Sequence, residues 1–184
     1  MTSVRLIAGR FGGRVLAAPP NDNTRTKPMG ERIRNAMFNS IGSEIDGVNV
    51  LDAFAGTGSV GLEALSRGAK RVTFVEKDGV AQRILAENIA KLGVGNEVTL
   101  AKSPVASWCE NHTGPQFDII LADPPYHQPQ LSTVIKLFSL LKPNGLMVLS
   151  HLGRGEGPNL INGIVVVDNR SYGNAQLTFF RREE

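Results

Sequence analysis

Cysteine is nearly absent from this 184-residue sequence. Cys109, its one thiol, can form neither an internal disulfide nor a multi-cysteine metal site, and its expected role is a small buried side chain. Long apolar runs are missing too: nothing approaches the roughly 18 uninterrupted residues of a membrane-spanning helix. Met1-Thr2-Ser3-Val4-Arg5 has neither the apolar core nor the small-residue cleavage site of a secretion signal, so a cytoplasmic location is expected, with no membrane partner. His112, His127 and His151 are scattered without ligand spacing, so no metal is expected. What remains is an ordinary globular composition, 41% apolar, at a length with room for one α/β-sized domain and little for a second.

The net charge of +3 conceals an asymmetry. Residues 1–40 carry seven basic side chains (Arg5, Arg10, Arg14, Arg25, Lys27, Arg32 and Arg34) against Asp22 and Glu31, an excess of five; the rest of the chain carries two more acids than bases. A short segment with that surplus suits a polyanion, because each phosphate it neutralises releases condensed counterions. A solvated basic face without a partner is the plainer alternative.

Along the chain, residues 4–8 and 14–17 are short apolar stretches around Gly9-Arg10-Phe11-Gly12-Gly13, a hairpin pattern. A helix is predicted after Pro28 through Ile41, where Ile33, Met37 and Ile41 recur every four residues and Arg32 and Arg34 point elsewhere, with Gly42 as its stop. From Val48 on, strand-like runs at 49–52, 72–76, 98–101, 117–122 and 146–150 alternate with helical periods at 59–66, 79–92, 104–111 and 131–141. Alternation of this kind predicts a parallel sheet covered on both faces. Lys142-Pro143-Asn144-Gly145 reads as a turn, Trp108 and Cys109 as core, and 164–168 with 176–180 as a closing antiparallel hairpin. Two regions follow: a basic extension over 1–42, packed on the main domain, and a catalytic domain over 43–184.

The first strand of that domain runs into Asp52-Ala53-Phe54-Ala55-Gly56-Thr57-Gly58-Ser59-Val60-Gly61. Gly56, Gly58 and Gly61 satisfy the dinucleotide glycine pattern, with Glu76 ending the next strand where an acid binds ribose hydroxyls. Asp52 argues against a pyrophosphate, since two anions there would repel. S-adenosylmethionine removes the conflict: it offers an ammonium and a sulfonium for Asp52, a carboxylate for the helix N-terminus and a ribose diol for Glu76. A tight strand-to-helix turn that merely uses these residues as caps is the competing reading.

Asp123-Pro124-Pro125-Tyr126 follows the apolar run 117–122, beyond the carboxyl end of a strand, the edge where open α/β sheets bind ligands. Two prolines fix φ twice and remove two amide donors, leaving carbonyls to accept. An exocyclic amine on a base is a poor nucleophile until acceptors hold its two N–H groups. The Asp123 carboxylate and Pro124 carbonyl supply such acceptors, while Tyr126 stacks on the base and Asp123 is placed for the departing proton.

With these motifs in this order, the chain resembles the Rossmann-like S-adenosylmethionine-dependent amino-methyltransferases. More narrowly it resembles the RsmD-like 16S ribosomal RNA guanine-N2 methyltransferases, through Arg5-Leu6-Ile7-Ala8-Gly9 with Gly13-Arg14, Arg25-Thr26-Lys27-Pro28, Glu31-Arg32-Ile33-Arg34, Phe38-Asn39 and Tyr172-Gly173. The resemblance spans essentially the whole chain. It implies a seven-stranded methyltransferase sheet with helices on both faces, a C-terminal antiparallel hairpin and a small N-terminal hairpin and helix. The implied reaction is methylation of a guanine N2 amine in 16S ribosomal RNA, on the small subunit or its assembly intermediate, by a monomer. Carried over by position, Asp123, Pro124, Pro125 and Tyr126 are catalytic, and Asp52, Phe54, Gly56, Thr57, Gly58, Glu76, Lys77 and Ser103 hold the cofactor. Ser103 stands, in Ala101-Lys102-Ser103-Pro104, where the wider superfamily has an acid or amide for the adenine amine. Arg10, Arg14, Arg25, Lys27, Arg32 and Arg34 are expected at RNA phosphates.

Two other functions remain open at this point. A DNA adenine-N6 or cytosine-N4 methyltransferase shares the acid-Pro-Pro-aromatic chemistry but ordinarily carries a target-recognition domain. A non-catalytic RNA-binding assembly factor on the same fold has no evident need for both Asp123 and Glu76.

Overall fold

Seven strands form the centre of the protein, ordered across the sheet as 98–102, 71–76, 49–53, 117–122, 141–152, 175–182 and 164–172. The computed structural model describes residues 3–20, 28–154, 157, 158 and 160–184. The parallel strands are β3 (Asn49–Ala53), β4 (Arg71–Glu76), β5 (Val98–Lys102), β6 (Phe117–Ala122) and β7 (Leu141–Leu152). β8 (Ile164–Tyr172) and β9 (Ala175–Arg182) close the sheet antiparallel, turning through Gly173. Each of the five expected parallel strands and the closing hairpin is present.

Strand alternation sends side chains to two cores. Val50, Phe74, Ile119, Leu121 and Val148 face one layer, formed by α1 (Glu31–Ile41), α2 (Ser59–Ser66) and α3 (Gly79–Leu92). Leu51, Val75, Ile120, Met147 and Leu149 face the other, formed by α4 (Val105–Glu110) and α5 (Leu131–Phe138). Trp108 and Cys109 lie in this second core, where burial pushes the Cys109 thiol up to about 11. Among the described residues, no helix is long and apolar enough to cross a membrane.

The N-terminal residues belong to the first core. β1 (Val4–Arg5) and β2 (Val15–Leu16) pair antiparallel around a 3-10 turn at Gly9–Phe11, and Leu6 and Leu16 pack among Leu62, Leu65 and Leu85. Gly9 has φ +79°, and a Cβ there would stand 1.8 Å from the Ser66 carbonyl oxygen, so the hairpin touches the end of α2 through bare backbone.

Three expectations need correction. Arg34 does not point away from the protein: it is 1% exposed, on the α1 face with Met37, Phe38 and Ile41, at the i, i+3, i+4, i+7 spacing of a buried stripe. Its guanidinium donates to the Met29 and Arg5 carbonyls and pairs at 3.6 Å with Glu63 of α2, itself 0% exposed. α5 ends at Phe138 rather than at 141, because Leu140 turns its carbonyl to the amides of Gln116 and Phe117 at the start of β6. The expected turn at 142–145 is absorbed into β7 as an irregularity: Phe117 pairs with Leu141 and Ile119 with Leu146, so two steps of β6 oppose five of β7.

Candidate active site

β3 and β4 deliver two acids to the glycine turn. Asp52, 2% exposed, accepts the Gly61 amide at 2.8 Å, tying the end of β3 to the first turn of α2. Burial pushes its carboxyl well above the ordinary range, and the neighbouring charges of Asp123 and Glu76 add to the shift. Glu76 accepts the Gly56 amide on one oxygen and the Asp78 amide on the other, both at 2.7 Å. One side chain thus fixes the turns after both strands and keeps lone pairs for a diol. Asp78 in turn caps α3 by accepting the Ala81 amide at 2.9 Å.

The glycines are required by contact as well as by conformation. Gly58 has φ +89°, and a Cβ would stand 2.2 Å from Leu85 Cδ1; at Gly61 it would meet the Phe74 ring at 2.3 Å and Asp52 Oδ2 at 2.8 Å. The open turn beneath the helix N-terminus therefore exists only because these side chains are missing. Thr57 is buried, with its carbonyl held by Asn88 Nδ2 at 3.1 Å, and Asn88 also binds Ala17 of the N-terminal segment. Phe54 packs against the second core and Lys77 is exposed. Ser103 comes beside Glu76, its amide donating to the Glu76 carbonyl at 3.2 Å, although its hydroxyl is taken by the Pro104 carbonyl at 3.0 Å.

β6 is the next strand beyond β3. Ala53 is in register with Ala122, so Asp123 emerges directly beside the glycine turn. Burial lifts the Asp123 carboxyl to about 6, and the polar hydroxyl of neighbouring Ser150 acts in the opposite direction. Pro124 is buried, and among the described residues no donor reaches its carbonyl, whereas the Pro125 carbonyl accepts the Gln128 amide at 2.9 Å. Tyr126 is 37% exposed, with its hydroxyl 2.8 Å from Ser150 Oγ.

A small cavity joins these groups. Its wall includes Asp52, Asp123 and Ser150 from the strand ends and Met29 and Met37 from the N-terminal region. Ser150, Met29 and Met37 were not among the residues singled out from the sequence. Ser150 had a detectable signal, a polar residue ending an apolar strand; the two methionines had none, because only the packing of α1 brings them there.

The basic residues separate. Arg32 is exposed in the first turn of α1, next to the segment bearing Met29. Arg10 pairs with Glu97 at 2.7 Å and stacks on Phe11, while Arg14 donates to the Lys91 carbonyl at 3.2 Å. Glu97 and Lys91 flank the connection from α3 into β5, at the sheet edge opposite Asp52, Glu76 and Asp123. Arg34, expected at RNA, is sealed in the core and is not available for a phosphate. Arg25 and Lys27 lie outside the described residues. Among the described residues, no group of three or more histidines, cysteines and acids is placed to hold a metal ion.

The sequence profile of the family described as Conserved hypothetical protein 95 matches residues 4–181. The chain belongs to this family, that of the RsmD-like methyltransferases. Ribosomal RNA small subunit methyltransferase D of Haemophilus influenzae is 36% identical over 78% of this chain and 76% of its own length. YlbH of Bacillus subtilis is 30% identical over 97% of this chain and 99% of its own. Among solved structures, yhhF of Escherichia coli superposes with a TM-score of 0.88 at 28% identity, covering 99% of both chains. The fold is the Rossmann-like methyltransferase sheet that the strand order describes.

Proposed function

We propose that this protein transfers a methyl group from S-adenosylmethionine to the exocyclic N2 amine of a guanine in 16S ribosomal RNA. The observation that carries the reading is the placement of Asp123, the free Pro124 carbonyl and the Tyr126 ring beside a glycine turn gripped by Glu76. The names of the relatives supply the RNA.

The residues present fit the cofactor. Glu76 has lone pairs left for a ribose diol, the turn at Gly56 to Gly58 leaves backbone amides near the start of α2 for a carboxylate, and Asp52 gives the cavity an acid towards the cationic end of the cofactor. The sulfonium supplies an electrophilic methyl when bound. The protein's part is to hold the amine: the Asp123 carboxylate and Pro124 carbonyl accept its two N–H groups, drawing the nitrogen towards tetrahedral geometry and freeing its lone pair. Tyr126 presents a ring face to the base and limits its tilt. Asp123, ionised above about pH 6, then accepts the proton that the methylated nitrogen releases. Arg32, with Arg25 and Lys27 before it in the sequence, is the basic group assigned to the RNA backbone near the site; residues 1–42 act as the recognition element and 43–184 as the catalytic body.

Methyl-labelled S-adenosylmethionine, incubated with the protein and unmodified small subunits, naked ribosomal RNA or duplex DNA, tests the proposal. Label in a ribosomal substrate is expected. Label in DNA alone would overturn it in favour of a DNA amino-methyltransferase.

A further inference from the structure

The apolar run of β7, Leu146-Met147-Val148-Leu149, ends at Ser150, which is 1% exposed. A buried hydroxyl without partners is unfavourable by roughly 1–3 kcal/mol in proteins, so a serine at this point calls for a reason. Parallel pairing of β6 and β7 provides one. Leu121 is matched with Val148 and Ala122 with Leu149, so the next step sets Asp123 beside Ser150. The two side chains point to the same face as Leu121 and Val148, the face that Asp52 shares one pleat below. On its other side β7 pairs with β9, where Ser150 is in register with Leu177, so the hydroxyl is held between two strands.

We propose that Ser150 is a positioning residue for methyl transfer: its hydroxyl, 2.8 Å from the Tyr126 hydroxyl and adjacent to Asp123, fixes both the acceptor and the aromatic ring of the Asp-Pro-Pro-Tyr motif. The proposal rests on the reading of that motif as the amine-binding site. A serine hydroxyl has one proton and two lone pairs. An ionised Asp123 only accepts, so with the Tyr126 O–H donating to Ser150 Oγ the Ser150 proton is left to turn towards the adjacent Asp123 carboxylate. In this direction Ser150 favours the carboxylate form that the amine requires, and it holds Tyr126 at the distance of one hydrogen bond from the group that receives the base.

Few other groups compete for Asp123. The Asp52 carboxyl faces the same cavity from β3, and Tyr126 is on the motif's own loop; from the α1 side and α2 the wall is Met29, Met37 and Val60, and β7 adds Val148. No cation faces the cavity among the described residues, so the Ser150 hydroxyl is the chief donor that opposes burial at Asp123. Among the described residues Ser150 makes no hydrogen bond to the glycine turn or to Glu76, which separates its effect from cofactor binding.

Two measurements test this on the full-length protein. Carbon-13 carboxyl NMR, with Asp123 assigned through Asp123→Asn, reads the titration without substrate. Ser150→Ala should move it upward by roughly one unit, on the scale of a lost hydrogen bond to the charged form, and Ser150→Thr, which keeps the hydroxyl, should return it to the wild-type position. With unmodified small subunits as substrate, Ser150→Ala should shift the acid limb of kcat upward in parallel and lower kcat at pH 6.5 about threefold, with KM for S-adenosylmethionine unchanged. A wild-type titration in Ser150→Ala, or the same defect in Ser150→Thr, would overturn the role of Ser150. A shifted titration in a protein that methylates no RNA would instead overturn the functional reading and leave the Ser150–Asp123 contact standing.

Discussion

Replacing Glu63 with alanine should remove the attachment of the N-terminal region to the central sheet and its helices. Glu63 is wholly buried in α2 and accepts the Ile7 amide at 2.9 Å, the Ala8 amide at 3.1 Å and Arg67 Nε at 2.8 Å, with Arg34 at 3.6 Å. At that length Arg34 is held by charge rather than by a hydrogen bond, and its Nε is left without a partner. Removing one member of a buried pair costs about 3–5 kcal/mol because the other charge is stranded, and each half-buried amide left unpaired adds about 1 kcal/mol. The terms share Arg34 and the hairpin and do not add fully, so a loss of about 4–6 kcal/mol is expected, a large part of the 5–15 kcal/mol of a typical domain. Urea unfolding followed by fluorescence of Trp108 suits the measurement, since that residue is 7% exposed in the opposite core and reports global unfolding. Arg34→Met/Glu63→Gln should cost less than the sum of its single changes, because Arg34 is then not stranded and Arg67 keeps the Asn35 and Asn39 side chains as partners. A Glu63→Ala variant within 1 kcal/mol of wild type, or strict additivity in the double variant, would refute the reasoning.

Four further outcomes follow from the site and the basic residues around it. Asp123→Ala should abolish methyl transfer while S-adenosylmethionine affinity, measured by calorimetry, stays near wild type; equal loss of both would move Asp123 into the cofactor site. The raised Asp123 carboxyl has a stability consequence of definite sign. A folded value of about 6 against an unfolded 3.8 means that protonation favours the fold, and this contribution is lost as pH rises from about 4 through 6, so Asp123→Asn should be more stable than wild type by about 3 kcal/mol at pH 8 and by little at pH 4. Gly61→Ala, whose Cβ would meet Phe74 at 2.3 Å, should lower both cofactor affinity and melting temperature, and an unchanged affinity would mean that the turn does not cradle the cofactor. Arg32→Ala should weaken RNA binding and lower the salt slope by about 1, whereas Arg10→Ala, on the far edge with Glu97, should leave the slope nearly unchanged; the reverse pattern would place the RNA on the opposite face.

The readable parts of the sequence were those governed by local rules. Strand alternation, the Gly56-Thr57-Gly58 turn and Asp123-Pro124-Pro125-Tyr126 lie where chain chemistry and the strand-end rule for α/β sheets coincide, and the structure places Asp52, Glu76 and Asp123 at one edge. Misreadings arose where a partner distant in sequence decided the outcome. Arg34 occupies a core stripe that a charge-based reading assigns to solvent, because Glu63 lies 29 positions further on and nothing local announces the pair. The turn chemistry of Lys142-Pro143-Asn144-Gly145 is real, since Asn144 takes φ +63°, but pairing of Leu141 with Phe117 draws it into a strand. Ser150 gained meaning only once β7 was known to lie beside β6.

The central claim is the identity of the methylated atom. Small-subunit ribosomal RNA modified by this protein, digested to nucleosides and oligonucleotides and analysed by mass spectrometry, should contain one new N2-methylguanosine at a single position in 16S RNA, and none with Asp123→Ala. Methyl groups on adenine or cytosine, on DNA, or on RNA treated with Asp123→Ala would contradict the account.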